Sequence, residues 1–184
     1  MERWDLYDQN RHPLGRTTER DVPLGPGEYH LVAAIWTVDR EGNILLTRRA
    51  PEKKFFPNEW ENSGGAVLAG ESSLEGALRE LREETGIRAA EDEIVLLGSC
   101  REDHYFVDTY LVLKLEAMPA VILQPGETAE AKWVSFEELD QMISAGEIIE
   151  PAVRQLAPLR AKLEAAVKKL SHAGQGLSEP VGAR

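Results

Sequence analysis

Only one cysteine, Cys100, occurs in the 184 residues, so an intramolecular disulfide, a multi-cysteine zinc site and a dithiol redox pair are all excluded. Long apolar runs are missing too, and nothing approaches the roughly eighteen consecutive apolar residues of a membrane-spanning helix. The opening Met1-Glu-Arg-Trp-Asp5 is charged and lacks an apolar centre, so it is not read as a secretory leader. A reducing cytoplasm is the simplest home for such a chain. Basic residues are scarce: 21 Lys and Arg stand against 32 Asp and Glu, for a net charge of -11. Nucleic-acid polymers need basic patches, so they are not expected partners. A small phosphorylated molecule stays open, because carboxylates gathered around Mg²⁺ reverse their local field once the metal binds.

With 42% hydrophobic and 29% charged residues, the chain has the composition of one globular domain with a sizeable core. Trp4 to Tyr7 and Leu14 to Thr18 flank the turn-rich Asp8 to Pro13 and read as a hairpin. His30 to Val38 and Ile44 to Thr47 form a second hairpin around Asp39 to Asn43. Strands are predicted at Ile94 to Ser99, Tyr105 to Leu115 and Lys132 to Ser135, and a short helix at Phe136 to Ser144. In the second of these strands Val107, Thr109, Leu111, Leu113 and Leu115 would share one face. Glu150 to Leu170 carries a helical apolar period with Pro158 as a kink, and Ser171 to Arg184, without any period, is expected to be a disordered tail.

The clearest element is the helix over Ser72 to Thr85. Ser72 and Glu75 make a capping box, Leu74, Ala77, Leu78 and Leu81 form one apolar stripe, and Gly86 supplies a left-handed stop. On the other face Glu80, Glu83 and Glu84 fall within about a third of a turn of one another. Carboxylates so crowded raise one another's pKa unless a cation lies among them, and carboxylate oxygens are what Mg²⁺ prefers. Arg79, four residues before Glu83, can orient one acid without displacing a metal. A solvated acidic helix face is the plainer alternative.

The wider spacing favours the metal. Gly65 is followed after five residues by Glu71, then after seven by Arg79-Glu80-Leu81, and then by Glu83-Glu84-Thr85-Gly86-Ile87. This resembles the Nudix box of the MutT-like hydrolases at all nine constrained positions. The resemblance implies an α/β (α+β) Nudix fold: an α/β/α sandwich around a central mixed sheet, with an N-terminal hairpin and a C-terminal helix added. Residues 1–27 would be a hairpin extension of the same domain and 28–170 the Nudix domain itself. It further implies a Mg²⁺ (or Mn²⁺) enzyme that cleaves a diphosphate linkage in a nucleoside diphosphate-X or similar small organic diphosphate. Glu83 and Glu84 would be core metal ligands, Glu80 a further ligand or the general base, Arg79 its orienting partner, and the Gly64 carbonyl an extra ligand. Glu71 would brace the loop or serve the metal. Family members place another acid in the loop before the last strand, where Glu127 and Glu130 are the candidates here. Arg48, Arg49, Lys53 and Lys54 are candidate phosphate contacts, and a homodimer is common among such relatives.

Outside the box the chain is similar to the isopentenyl-diphosphate isomerase branch of the same fold, through Trp4-Asp-Leu-Tyr-Asp8, Leu14-Gly-Arg-Thr17, Glu28-Tyr-His-Leu31, Leu46-Thr-Arg-Arg-Ala50 and Trp60-Glu-Asn-Ser63. That chemistry needs a cysteine soon after the last stretch, where Gly64-Gly65-Ala66-Val67 stands instead. The expected chemistry is therefore hydrolytic. His30, which matches an isomerase metal histidine, is expected to pack or hydrogen-bond, and Cys100 to be a buried thiol. A third alternative is a non-catalytic module that senses a nucleotide metabolite.

Overall fold

In the computed structural model, which describes residues 2–175, strands β1 (Arg3–Tyr7) and β2 (Pro13–Glu19) pair as an antiparallel hairpin. The central sheet is built from β3 (His30–Val38), β4 (Ile44–Arg49), β5 (Trp60–Glu61), β6 (Ser63–Ala66), β7 (Ile94–Arg101), β8 (Tyr105–Leu113) and β9 (Thr128–Val134). Its path runs β5-β4-β3-β8-β7, with β6 added to β3 and β9 to β4. β3 and β8 are parallel from His30↔Tyr105 to Val38↔Leu113, and the other pairings are antiparallel, so the sheet is mixed.

Helices cover both faces of this sheet, which explains why β3 is apolar along almost its whole length rather than alternating. Ala33 and Ile35 pack with Ala77 and Leu81 of α1 (Ser73–Thr85), while Trp36 and Val38 pack with Leu139, Leu156 and Leu163 on the opposite side. That second layer comprises α2 (Phe136–Ser144), α3 (Glu150–Leu156) and α4 (Arg160–Gln175). A short 3₁₀ turn, Ala157–Leu159, separates the last two at Pro158, because proline has no N–H to continue the ladder. α4 runs on to Gln175, so the first residues of the expected tail are helical, and 176–184 lie outside the described residues. Leu115 is 70% exposed beyond the end of β8, not part of its apolar face. No helix among the described residues is long and apolar enough to cross a membrane.

The geometry that matters for function is a divergence. β3 and β4 share one register pair, Val38↔Ile44, and then part. β3 takes β6 as its neighbour and β4 takes β5 and β9. α1 lies over the β3–β6 side, positioned by its capping box: Ser72 accepts from the Glu75 N–H and the Glu75 carboxylate accepts from the Ser72 N–H. Gly86 ends it at φ 71, a left-handed conformation that only glycine adopts at little cost.

The N-terminal hairpin docks against the same face. The Trp4 indole stacks on the His30 ring at 4.2 Å between centroids, and Tyr105 tilts against that ring at 5.6 Å. Burial in this stack lowers the His30 pKa from 6.5 to about 4, so the imidazole is neutral in the fold. A depressed pKa contributes stability that is complete above 6.5 and lost as pH falls toward 4. Urea titrations should therefore show the wild type losing up to about 3 kcal/mol more than His30→Phe over that window. Parallel pH dependence of the two proteins would contradict this.

Candidate active site

The sequence requires the helix and the loop before it to meet, and Arg79 is the group on which they meet. Its Nε and Nη2 donate to the two oxygens of Glu71 at 2.8 and 3.0 Å, and Nη2 also donates to the Ala66 carbonyl at 2.9 Å. Nη1 donates to Glu80 at 2.8 Å and to Glu83 at 3.2 Å. Burial works against the Arg79 charge, but the bonds to Glu71 and Glu80 outweigh it and raise the pKa above its ordinary value. Glu71 is spent as a brace, since its Oε2 also accepts from the Leu68 N–H at 3.0 Å.

Glu84 has a different environment. It accepts one hydrogen bond, from the Gly64 N–H at 3.1 Å, and has no cationic partner among the described residues. Burial pushes its pKa well above the carboxylate range, and the nearby charges of Glu61 and Glu80 push it further. Burial raises Glu80 as well, against the opposing effect of Arg79. Gly64 faces Ala34 across the β3–β6 ladder, yet gives its N–H to Glu84. In an antiparallel pair a residue's N–H and C=O point the same way, so the Gly64 carbonyl is directed to the carboxylate side too.

These groups line a cleft of about 870 Å³, together with Arg49, Lys53 and Glu127. Arg49 reaches it from β4, gripping Glu61 at 2.7 and 3.0 Å. Partial burial of Glu61 raises its pKa despite that partner. The segment before β9 is clipped to the end of α1: Ile122 N–H donates to the Thr85 carbonyl at 2.8 Å and Thr128 Oγ1 to the Glu84 carbonyl at 3.3 Å. This docking brings Glu127 into the cleft, ion-paired with Lys53. Lys54 lines the cleft as well.

Two predicted site residues are not brought there. Arg48 and Glu130 face each other in the β4–β9 ladder, 3.4 Å apart, and neither lines the cleft. Glu130 lies within β9, which begins at Thr128 and not at Lys132. Because side chains alternate along a strand, Arg48 and Arg49 must point to opposite faces. Glu61 was not singled out by sequence, and the available signal was its place between Trp60 and Asn62, three residues before Gly64.

As the side chains stand, no three His, Cys, Asp or Glu among the described residues are gathered closely enough to hold a metal ion. Arg79 draws Glu80 and Glu83 to itself, and the Gly64 N–H draws Glu84 away. The donor set still fits a hard dication. It is all oxygen, it shares one cleft, and it contains a buried acid among like charges that a cation would relieve.

The NUDIX domain family model matches residues 28–156. An uncharacterized Nudix hydrolase of Listeria monocytogenes is 35% identical over 150 residues, covering 81% of this chain and 89% of its own. An isopentenyl-diphosphate Delta-isomerase of Paenarthrobacter aurescens is 29% identical over 142 residues, covering 71% and 74%. Among solved structures, DR0079 from Deinococcus radiodurans matches with a TM-score of 0.66 and 26% identity, over 80% of this chain and 91% of that one.

The adjacent glycines Gly64 and Gly65 make a contrasting pair. A Cβ on Gly64 would lie 2.4 Å from the Ala33 backbone oxygen, whereas one on Gly65 would lie 2.5 Å from the Glu80 carboxyl. Backbone inside a sheet cannot yield, so Gly64→Ala should cost about 2–3 kcal/mol in urea denaturation. A side chain can yield, so Gly65→Ala should cost under about 1 kcal/mol but displace Glu80, which a crystal structure of the variant would show. Equal stability losses would refute the distinction.

Proposed function

The chain belongs to the Nudix hydrolase family and is a hydrolase acting on diphosphates, and from that premise we propose that it uses Mg²⁺ or Mn²⁺ to cleave a nucleoside diphosphate-X or similar small organic diphosphate. The observation that carries this reading is Glu84, a half-buried carboxylate crowded by Glu61 and Glu80, with no cationic partner among the described residues, in a cleft that also presents Arg49 and Lys53.

Glu83 and Glu84, with the Gly64 carbonyl, would hold the metal. Bound there, it supplies Lewis-acid polarisation of a phosphoryl oxygen and a water of lowered pKa. Lys53 exchanges its contact with Glu127 for a phosphate oxygen, and Lys54 adds a second positive charge. Arg49 stays on Glu61 and opposes the rise that burial gives its pKa. Glu80 accepts the proton of the attacking water: Arg79 grips its Oε1, and its Oε2 has no hydrogen-bond partner among the described residues. The water oxygen bonds to phosphorus, the bridging P–O bond breaks, and the released half departs as a phosphate. Arg79 is a positioning residue here, since it fixes Glu80 and Glu83 without touching substrate.

The isomerase reading draws no support from the site. His30 is neutral and stacked between Trp4 and Tyr105. Cys100 is on β7, half-buried, outside the cleft, and burial raises its pKa.

A panel of nucleoside diphosphate sugars, ADP-ribose, dinucleoside polyphosphates, oxidised nucleotides and prenyl diphosphates, assayed with Mg²⁺ or Mn²⁺, tests the proposal. Glu83→Gln and Glu84→Gln should each lower turnover of the best substrate on the order of a hundredfold or more. Without metal, Glu84→Gln should melt at or above the wild-type temperature, because it removes an acid whose ionisation is opposed by its surroundings. Added Mn²⁺ should raise the Tm of the wild type but not of this variant. Full activity in both variants would defeat the metal assignment.

A further inference from the structure

The turn at the tip of the N-terminal hairpin is closed by Asp8. Its N–H donates to the His12 carbonyl at 2.9 Å, and its Oδ1 accepts from the Asn10 and His12 N–H groups at 2.8 and 2.9 Å. This closure holds Arg11 at φ 65, a left-handed conformation that favours glycine or asparagine. A side chain kept at such a position invites a reason. The reason on the page is Asp108, a β8 carboxylate only 3% exposed. The Arg11 guanidinium reaches it with both terminal nitrogens, one at 2.7 Å, and lies over the Phe106 ring at 5.7 Å. Among the described residues Arg11 is the one cation paired with Asp108, and Ser99 Oγ donates to the same carboxylate. Despite burial, these bonds hold the Asp108 pKa below its ordinary value.

Neither Arg11 nor Asp108 lines the cleft, but the other end of the hairpin does. Trp4 from β1, with Arg20 and Asp21 just past β2, forms part of its wall. Between the two ends the hairpin is fastened edge-on, by reciprocal bonds between Tyr7 and Tyr29 at 2.8 and 3.0 Å. It is also fastened to the box loop, where Ala69 N–H donates to the Arg3 carbonyl at 2.7 Å and Gly70 N–H to Asp5 at 2.8 Å. A buried charged pair at the tip and a cleft wall at the base make the hairpin a lever with a lock.

We propose that Arg11 and Asp108 form a latch that seats the hairpin as a wall of the substrate cleft, which makes both of them positioning residues for substrate binding. The inference rests on the cleft being the diphosphate site. The two charges act at a distance, through the two paired strands that join the tip turn to Trp4 and Arg20. Loss of the latch leaves the box helix, with Arg79 and its acids, where it is. Substrate capture weakens while chemistry on bound substrate persists.

Amide hydrogen exchange and steady-state kinetics on the full chain separate these effects. In Arg11→Ala the amides of Tyr7, Tyr29, Ala69 and Gly70 should exchange about tenfold faster, with those of β3 and β8 unchanged. KM for the fastest-hydrolysed member of the panel should rise about tenfold, with kcat within about threefold. Arg11→Lys should recover part of both effects. Asp108→Asn should match Arg11→Ala, and if the buried substitution prevents folding, Arg11→Ala alone decides. Unchanged exchange at the hairpin would overturn the latch, and so would an unchanged KM in a variant whose hairpin amides have been exposed. A wild type inert toward the whole panel would sink the hydrolase reading instead, while the exchange measurement would still decide the seating.

Discussion

Arg79 holds together two pieces of chain that would otherwise move apart. One planar guanidinium binds the loop through Glu71 and the Ala66 carbonyl, and the helix through Glu80 and Glu83. Its rigid fork suits this task better than an ammonium, which offers a point charge without fixed directions. The arrangement also sets the distribution of negative charge. Glu71, Glu80 and Glu83 are partly neutralised by the same cation, and Glu84 is left as the one box acid without such relief. The box acid whose ionisation its surroundings oppose most is thus the one without a cationic partner, which is the condition that draws in a dication rather than a second arginine.

That concentration of charge depends on the divergence of β3 and β4. A continuous ladder between them would have filled the space with backbone hydrogen bonds. Their separation after Val38↔Ile44 admits β6, whose glycines bring backbone against β3 on one side and the Glu80 carboxyl on the other. It also sends Arg49 of β4 toward the cleft from across the gap. The apolar layers on both faces fix the sheet and so fix the gap. Through them the packing of Leu81 and Leu163 bears on the placing of oxygen atoms some distance away.

Elements specified by local chemistry were legible in the chain itself. The Ser72–Glu75 box and Gly86 place α1 within one residue, and the apolar run of β3 ends where predicted. Elements specified by distant partners were not. β5 has two residues and β6 four, two of them glycine, so neither carries a strand period, and both exist because β4 and β3 offer edges. β9 starts four residues earlier than its sequence suggests, because Thr128 to Ala131 pair with Arg49 to Thr47 across a register shift between Arg48 and Arg49. That shift moves Glu130 from a loop onto a ladder. It leaves Glu127 alone of the two in the cleft. The box glutamates were found by spacing, yet their present rotamers, held by Arg79 and Gly64, could not be read from spacing at all.

Substrate choice belongs to the parts the box does not specify. The segment from Pro51 to Asn58 contains two non-glycine residues in the left-handed region, Phe56 at φ 52 and Asn58 at φ 63. Asparagine tolerates that conformation, whereas phenylalanine pays about 1–2 kcal/mol for it. The strain persists because Arg49 holds the loop at both ends, donating from Nε to the Phe55 carbonyl and accepting from the Asn58 N–H. The result is that Lys53, Lys54 and a 63% exposed Phe55 stand at the cleft, fixed by the same arginine that balances Glu61. A charge inside the site therefore sets the shape of its rim. Neither the hairpin wall nor this strained loop bonds to Arg79, so the acids of the proposed catalytic floor are held independently of the rim that would shape the substrate.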